Sequence, residues 1–164
     1  MGSEYKKDEE HSYITYLDAN NLYGWAMSEP LPCGDFKWSD ERDVDRLIEL
    51  YADNPDRGCV VKCDIIYPAE LHDAHNDYPL APERKLVAED MLSPYALKTK
   101  DALEIGNDVC EKLVPNLMKK VDYVVDIRNL KYYCEKGLIV SQVHSVITFK
   151  QSLWMKSYID FNTE

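Results

Sequence analysis

From Cys59 to Tyr67 the side chains alternate with a period of two. Cys59, Val61, Cys63, Ile65 and Tyr67 fall on one side, and Val60, Lys62, Asp64 and Ile66 on the other. That period belongs to a β-strand with two unlike faces, and it commits the chain to a sheet. Asn54-Pro55-Asp56-Arg57-Gly58 precedes it as a turn. Tyr123 to Ile127 reads as a further strand, and Ile139 to Phe149 alternates as another, with Val140, Val143, Val146 and Ile147 as its apolar groups.

Helical signals lie between these strands. Val44, Leu47, Ile48 and Tyr51 form an i, i+3, i+4, i+7 stripe, so a helix runs from Asp40-Glu41-Arg42-Asp43 to about Tyr51, capped by Ser39 or Asp40. Ser93 caps a helix to about Ala102, Asn129 to Lys136 is a helix closed by Gly137, and Trp154 to Phe161 begins another. Residues 33–40 read as irregular or briefly extended, 68–84 as a long loop, and Lys85 to Ala88 as a short strand-like piece. Lys112 to Met118 fits a strand or a helix equally. The order is mixed rather than a regular βαβ alternation, which gives an α+β class.

With 164 residues and 45% apolar content, the chain has enough material for one ordinary domain with its own core. Charge is uneven: residues 1–111 carry −14 and residues 112–164 carry +3, for a net −11. A free-standing DNA binder needs a basic footprint, and this balance lacks one. Five scattered cysteines, Cys33, Cys59, Cys63, Cys110 and Cys134, imply reduced thiols in an intracellular compartment rather than a disulfide framework. The spacing does not decide between nucleus, cytoplasm and mitochondrion. No apolar run is long enough to span a bilayer, so a membrane is not among the expected partners.

Tyr13-Ile14-Thr15-Tyr16 is rich in β-formers and leads into Asp18. Leu22 to Met27 then suits a short helix that Pro30 and Pro32 stop. An acidic residue ending a strand is well placed to hold a metal ion; the plainer alternative is that Asp18 caps the next turn. Asp18-Ala19-Asn20-Asn21-Leu22-Tyr23-Gly24 resembles motif A of family B DNA polymerases, whose common form is Asp-x-x-Ser-Leu-Tyr-Pro. With Asn21 in place of Ser and Gly24 in place of Pro, it is similar to the protein-primed branch found in viruses, organellar plasmids and self-replicating DNA transposons. Pro30-Leu31-Pro32, Cys59 to Pro68, His72 to Pro82 and Trp154 to Thr163 extend the resemblance over roughly residues 12 to 164.

The resemblance implies a nucleotidyltransferase that moves a deoxynucleotide to a primer hydroxyl with two Mg²⁺ ions. Asp18 would be the catalytic carboxylate and metal ligand, with the Ala19 carbonyl as the accompanying backbone ligand. Asn21 and Leu22 would offer N–H groups to the triphosphate, and Tyr23 would stack under the sugar and exclude a 2′-hydroxyl; its plain alternative is a packed core tyrosine. Primer–template DNA, the deoxynucleoside triphosphate and a terminal protein would be the partners. In these terms residues 1–11 are a flexible lead-in, 12–32 the palm strand with motif A, 33–122 an insertion, and 123–164 a strand–helix–strand segment leading toward the fingers. The family's Asp-Thr-Asp motif and its Lys-x-x-x-Asn-Ser-x-Tyr-Gly helix do not occur in the chain, nor does a proofreading Asp-x-Glu with its companions. The expected object is therefore a fragment, inactive alone. A partner- or nucleic-acid-binding relic of a mobile element is the alternative, and a nuclease-like metal domain centred on Asp18 is a weaker third.

The pairs Cys59-x-x-x-Cys63 and His72-x-x-His75 invite a zinc reading. On a strand, however, two residues four apart lie about 13 Å from each other, too far for both sulfurs to reach one ion. Buried thiols and loop histidines are the expectation, with a divalent ion or partner contact at His72, Asp73, His75 and Asp77 ranked below it. Lys119, Lys120, Arg128 and Lys131 make a modest basic cluster, which reads as a solvated face; the polymerase resemblance implies weak DNA contact there as the functional alternative.

Overall fold

A computed structural model describes residues 16–104, 106 and 111–163. The elements are α1 (Leu22–Ser28), β1 (Leu31–Ser39), α2 (Val44–Tyr51), β2 (Arg57–Ile66), α3 (His72–His75) and β3 (Glu83–Leu86), then α4 (Pro94–Ala102), β4 (Glu111–Val114), β5 (Lys120–Asp126), α5 (Ile127–Glu135), β6 (Ile139–Ser152) and α6 (Lys156–Thr163). Four strands form an antiparallel sheet in the order β1-β6-β2-β5, and β3 pairs with β4 as a separate ribbon. The class is α+β. Among the described residues no helix is long and apolar enough to cross a membrane.

The topology consists of two interlocked units. β1 and β2, joined through α2, run the same way with β6 between them, while β5 and β6, joined through α5, run the other way with β2 between them. The two helices pack against each other and cover one face of the sheet. Cys59, Val61, Cys63 and Ile65 lie under them fully buried, with Leu47 of α2, Ile127 and Leu130 of α5, Val125 and Val146. The period-two reading of 59–67 is therefore realised, and each large side chain it buries contributes roughly 1.5–3 kcal/mol. The opposite face is more open: Trp38, paired with Ile147, is 76% exposed, and Val124 is exposed too.

Several boundaries differ from the sequence reading. α2 is capped by Asp43, whose Oδ1 accepts the Arg46 N–H at 3.0 Å; Ser39 ends β1, and its Oγ accepts from the Glu41 N–H instead. The 33–40 stretch belongs to a nine-residue strand, irregular at Pro32, Gly34 and Lys37, with Asp35 at φ 54°. Pro32 is tolerated because β1 is an edge strand. The 68–84 loop holds a 3-10 turn at Ala69–Leu71 and α3, and it passes into β3 at Glu83, ahead of the expected Lys85. Residues 111–114 are strand, since they pair with β3. β5 starts at Lys120, and Ile127 is already helical because Asp126 Oδ1 accepts the Arg128 N–H at 2.9 Å. α6 starts at Lys156 rather than Trp154. Tyr13, Ile14 and Thr15 lie outside the described residues, as do residues 1–11 and Cys110. Tyr16, which was expected to continue their strand, is exposed and not in a strand. Strand-forming side chains express that preference when they pack on a neighbour, and Tyr16 has none among the described strands.

Ser93 and Gly137 act as read. The Ser93 side chain accepts the Ala96 N–H at 3.1 Å, and Gly137, at φ 94°, lets the Leu138 N–H return to the Tyr133 carbonyl at 3.0 Å. A Cβ on Gly137 would stand 2.9 Å from Leu71 Cδ1. Gly137→Ala should therefore cost about 1–2 kcal/mol from backbone strain and this contact. Urea unfolding measures it, and an unchanged midpoint would contradict the assignment.

Candidate functional site

The segment 18–24 is a turn leading into a capped helix. Asn21 sits in the left-handed region (φ 54°, ψ 44°), which Asn tolerates better than most residues. Its Oδ1 accepts the Gly24 N–H at 3.1 Å, its carbonyl accepts the Trp25 N–H at 3.0 Å, and Ser28 Oγ closes the helix on the Gly24 carbonyl at 2.9 Å. Asn21, not Asp18, is thus the cap. Gly24 is buried, and a Cβ there would fall 2.3 Å from Asn21 Nδ2 and 2.5 Å from Oδ1. No side chain fits at 24 while Asn21 caps in this way, and proline would also remove the N–H that Asn21 binds. The two departures from the common motif are therefore in direct contact: with Asn21 in this rotamer, position 24 has room for no Cβ.

This arrangement brings Asn21, Leu22 and Tyr23 onto one helix start, which packs against α6 through α1. Leu22 and Tyr23 are exposed, Tyr23 by 85%, so the packed-core alternative for Tyr23 does not hold. The N–H groups of Leu22 and Tyr23 lie in the first turn and have no acceptor within the helix. Asp18 and Ala19 are exposed on the irregular stretch before it. Among the described residues no hydrogen bond or ion pair reaches Asp18, and no two other His, Cys, Asp or Glu side chains gather with it. A pair of Mg²⁺ ions needs more carboxylate than this. The described residues therefore do not by themselves form a two-metal site.

Cys59 and Cys63 are core residues, and burial pushes each thiol up to about 12, far from the range of a reactive thiolate. His72 and His75 both pack edge-on against Tyr67, with ring centroids 5.7 Å away. His75 Nδ1 is 2.8 Å from the Tyr67 hydroxyl, which also accepts the Leu80 N–H at 3.1 Å. These histidines fasten the loop to the end of β2.

The basic cluster is not a shared patch. Lys119 stands 3.7 Å from Asp64, Arg128 Nε 2.9 Å from Asp126, Lys131 2.5 Å from Asp53, and Lys120 is buried 3.0 Å from Glu83. Each cation faces a carboxylate; Arg128 finds its own two residues back, but the partners of Lys119, Lys120 and Lys131 are far away in sequence. The linear reading missed one more grouping, Asp64 with Asp122 and His144, which the fold assembles from three strands. No family model matches the chain, and no curated protein and no solved structure matches it either.

Proposed function

We propose that the chain is part of a protein-primed family B DNA polymerase, comprising motif A and the insertion that follows it. The observation that carries the reading is the 18–24 segment: its letters resemble motif A, and its two unusual letters, Asn21 and Gly24, meet in one hydrogen-bonded cap. The exposure of Asp18 and Tyr23 beside a helix start supports the roles of metal ligand and sugar-contacting ring. In this reading the parent transfers a nucleotidyl group from a deoxynucleoside triphosphate to a primer hydroxyl. Its two Mg²⁺ ions would be held with carboxylates beyond Asp18, and a terminal protein would supply the first hydroxyl.

Sequencing the encoding DNA beyond the Glu164 codon tests this directly. A continuing frame with Lys-x-x-x-Asn-Ser-x-Tyr-Gly and Asp-Thr-Asp supports the polymerase. A stop codon without them leaves the second reading, a non-enzymatic domain that binds a partner, which the exposed Trp38, Phe36 and Val124 of the open sheet face favour. With the missing motifs joined to this chain, Tyr23→Val should raise ribonucleotide incorporation about 10²-fold or more, the scale on which a steric or polar misfit discriminates. Unchanged selectivity at normal deoxynucleotide activity would remove that role from Tyr23.

A further inference from the structure

Asp64 projects from the face of β2 opposite the helices, yet it is nearly buried. Irregularities in both neighbouring strands flank it. On β6, Val143 pairs with Cys63 and Ser145 with Lys62, so His144 is an extra residue with no opposite number. On β5, Tyr123 pairs with Cys63 and Lys120 with Ile65, so Val121 and Asp122 together face Asp64. Such bulges redirect side chains, and Asp122 takes φ 56° in doing so. His144 Nε2 thereby comes to 2.8 Å from Asp64 Oδ1 and 3.7 Å from Asp122 Oδ1, and the Asp122 N–H donates to Asp64 Oδ1 at 2.9 Å. One ligand atom from each residue lies within 4.8 Å of the others.

We infer that Asp64, Asp122 and His144 bind one divalent transition-metal ion, of the Zn²⁺ type, across β2, β5 and β6. Bonds of about 2.0–2.2 Å leave neighbouring ligand atoms roughly 3.0–3.5 Å apart, between the two distances seen here. One imidazole with two carboxylates suits Zn²⁺, whereas Mg²⁺ takes oxygen ligands and keeps its waters. Two ammonium groups compete: Lys62 Nζ is 2.9 Å from Asp122 Oδ1, and Lys119 Nζ is 3.7 Å from Asp64 Oδ2. Both lysines are about half exposed, at 41% and 53%, so they can turn to solvent with little loss. The ion takes the Nε2 lone pair of His144 in the neutral tautomer that carries its one proton on Nδ1. Asp18 has no part in this site.

The test is titration of the tag-free chain with ZnCl₂ by calorimetry, alongside His144→Gln and Asp122→Asn. Asn tolerates the left-handed backbone at 122, so Asp122→Asn keeps the fold even if His144→Gln does not, and circular dichroism checks both. The wild type should bind one more Zn²⁺ than either variant, or bind it at least about tenfold more tightly, since losing a ligand costs no less than losing an outer partner. Zn²⁺ should also raise the melting temperature of the wild type alone, and Mg²⁺ should not displace it. Equal Zn²⁺ binding by wild type and Asp122→Asn would overturn the assignment and leave a closed network of ion pairs with Lys62 and Lys119.

Discussion

Given Mg²⁺, a primed template and deoxynucleoside triphosphates, a chain of these 164 residues should incorporate no nucleotide, and Asp18→Asn should leave that result unchanged. Two Mg²⁺ ions bring four positive charges, and Asp18 is a single exposed carboxylate with no two further ligands gathered beside it among the described residues. Groups that stabilise the same transition state are worth about 10²–10³ each in rate, so losing a second carboxylate and the triphosphate-binding lysine compounds. The net charge of −11 also disfavours a DNA primer at low salt. In a polypeptide that supplies the missing motifs, Asp18→Asn should lower incorporation about 10³-fold or more. Primer extension reads both arms. Extension by the isolated chain that Asp18→Asn abolishes would show that the site is complete within these residues.

Glu83→Ala should destabilise the fold by about 3 kcal/mol, because it strands a buried ammonium. Lys120 opens β5 and has no exposed side-chain surface; its Nζ is 3.0 Å from Glu83 Oε1 and 2.5 Å from Asn116 Oδ1. Asn116 Nδ2 also donates to Glu83 Oε1, at 3.2 Å. The pair fastens the β3–β4 ribbon to the main sheet. Burial pushes Lys120 down, against the Glu83 hydrogen bond. Burial alone would raise Glu83, but the hydrogen bonds from Lys120 and Asn116 outweigh it and hold the carboxyl below its ordinary value. A carboxyl lowered in the fold stabilises above its unfolded value and loses that contribution as pH falls through the folded one. A lysine lowered in the fold likewise makes stability rise with pH, between its depressed value and the ordinary one. Thermal unfolding should show a drop of about 6–12 °C for Glu83→Ala. Glu83→Gln should flatten the acid limb below about pH 4.5. The pairing is refuted if Glu83→Ala melts within a degree or two of the wild type.

Local signals were legible in the sequence, and long-range ones were not. Period-two burial at Cys59 to Ile65 and the Ser93 cap depend on neighbours a few residues away, so the letters announce them. The cap of α2 slipped because Ser39, Asp40 and Asp43 are all capping types, and pairing of β1 decided which of them ended the strand. The helix at Leu22 is legible from the prolines that stop it, whereas the close approach of the Asn21 side chain to Gly24 is a matter of three-dimensional geometry. Asp64 meets Asp122 and His144 across 58 and 80 residues, through bulges that no spacing records. The basic cluster failed as a patch for the same reason, since the carboxylate partners of Lys120 and Lys131 lie 37 and 78 residues away.

The central place of β6 also dictates when this protein can fold. Leu31 pairs with Ser152 and Ser39 with Val146, so β1 has no mate until residues 146–152, more than a hundred positions later, have been made. A nascent chain can form the β2–β5 pair and the α2 and α5 turns early, but one edge of β2 stays unpaired, and Val146 is missing from the core, until the last sheet strand slides between β1 and β2. Pairings this distant close slowly and leave apolar strands open to aggregation while they wait. Any expressed piece that stops before about residue 152 therefore loses part of the sheet's middle rather than its edge. Deletions made from the C-terminal side should abolish folding well before they reach residue 139, where β6 begins.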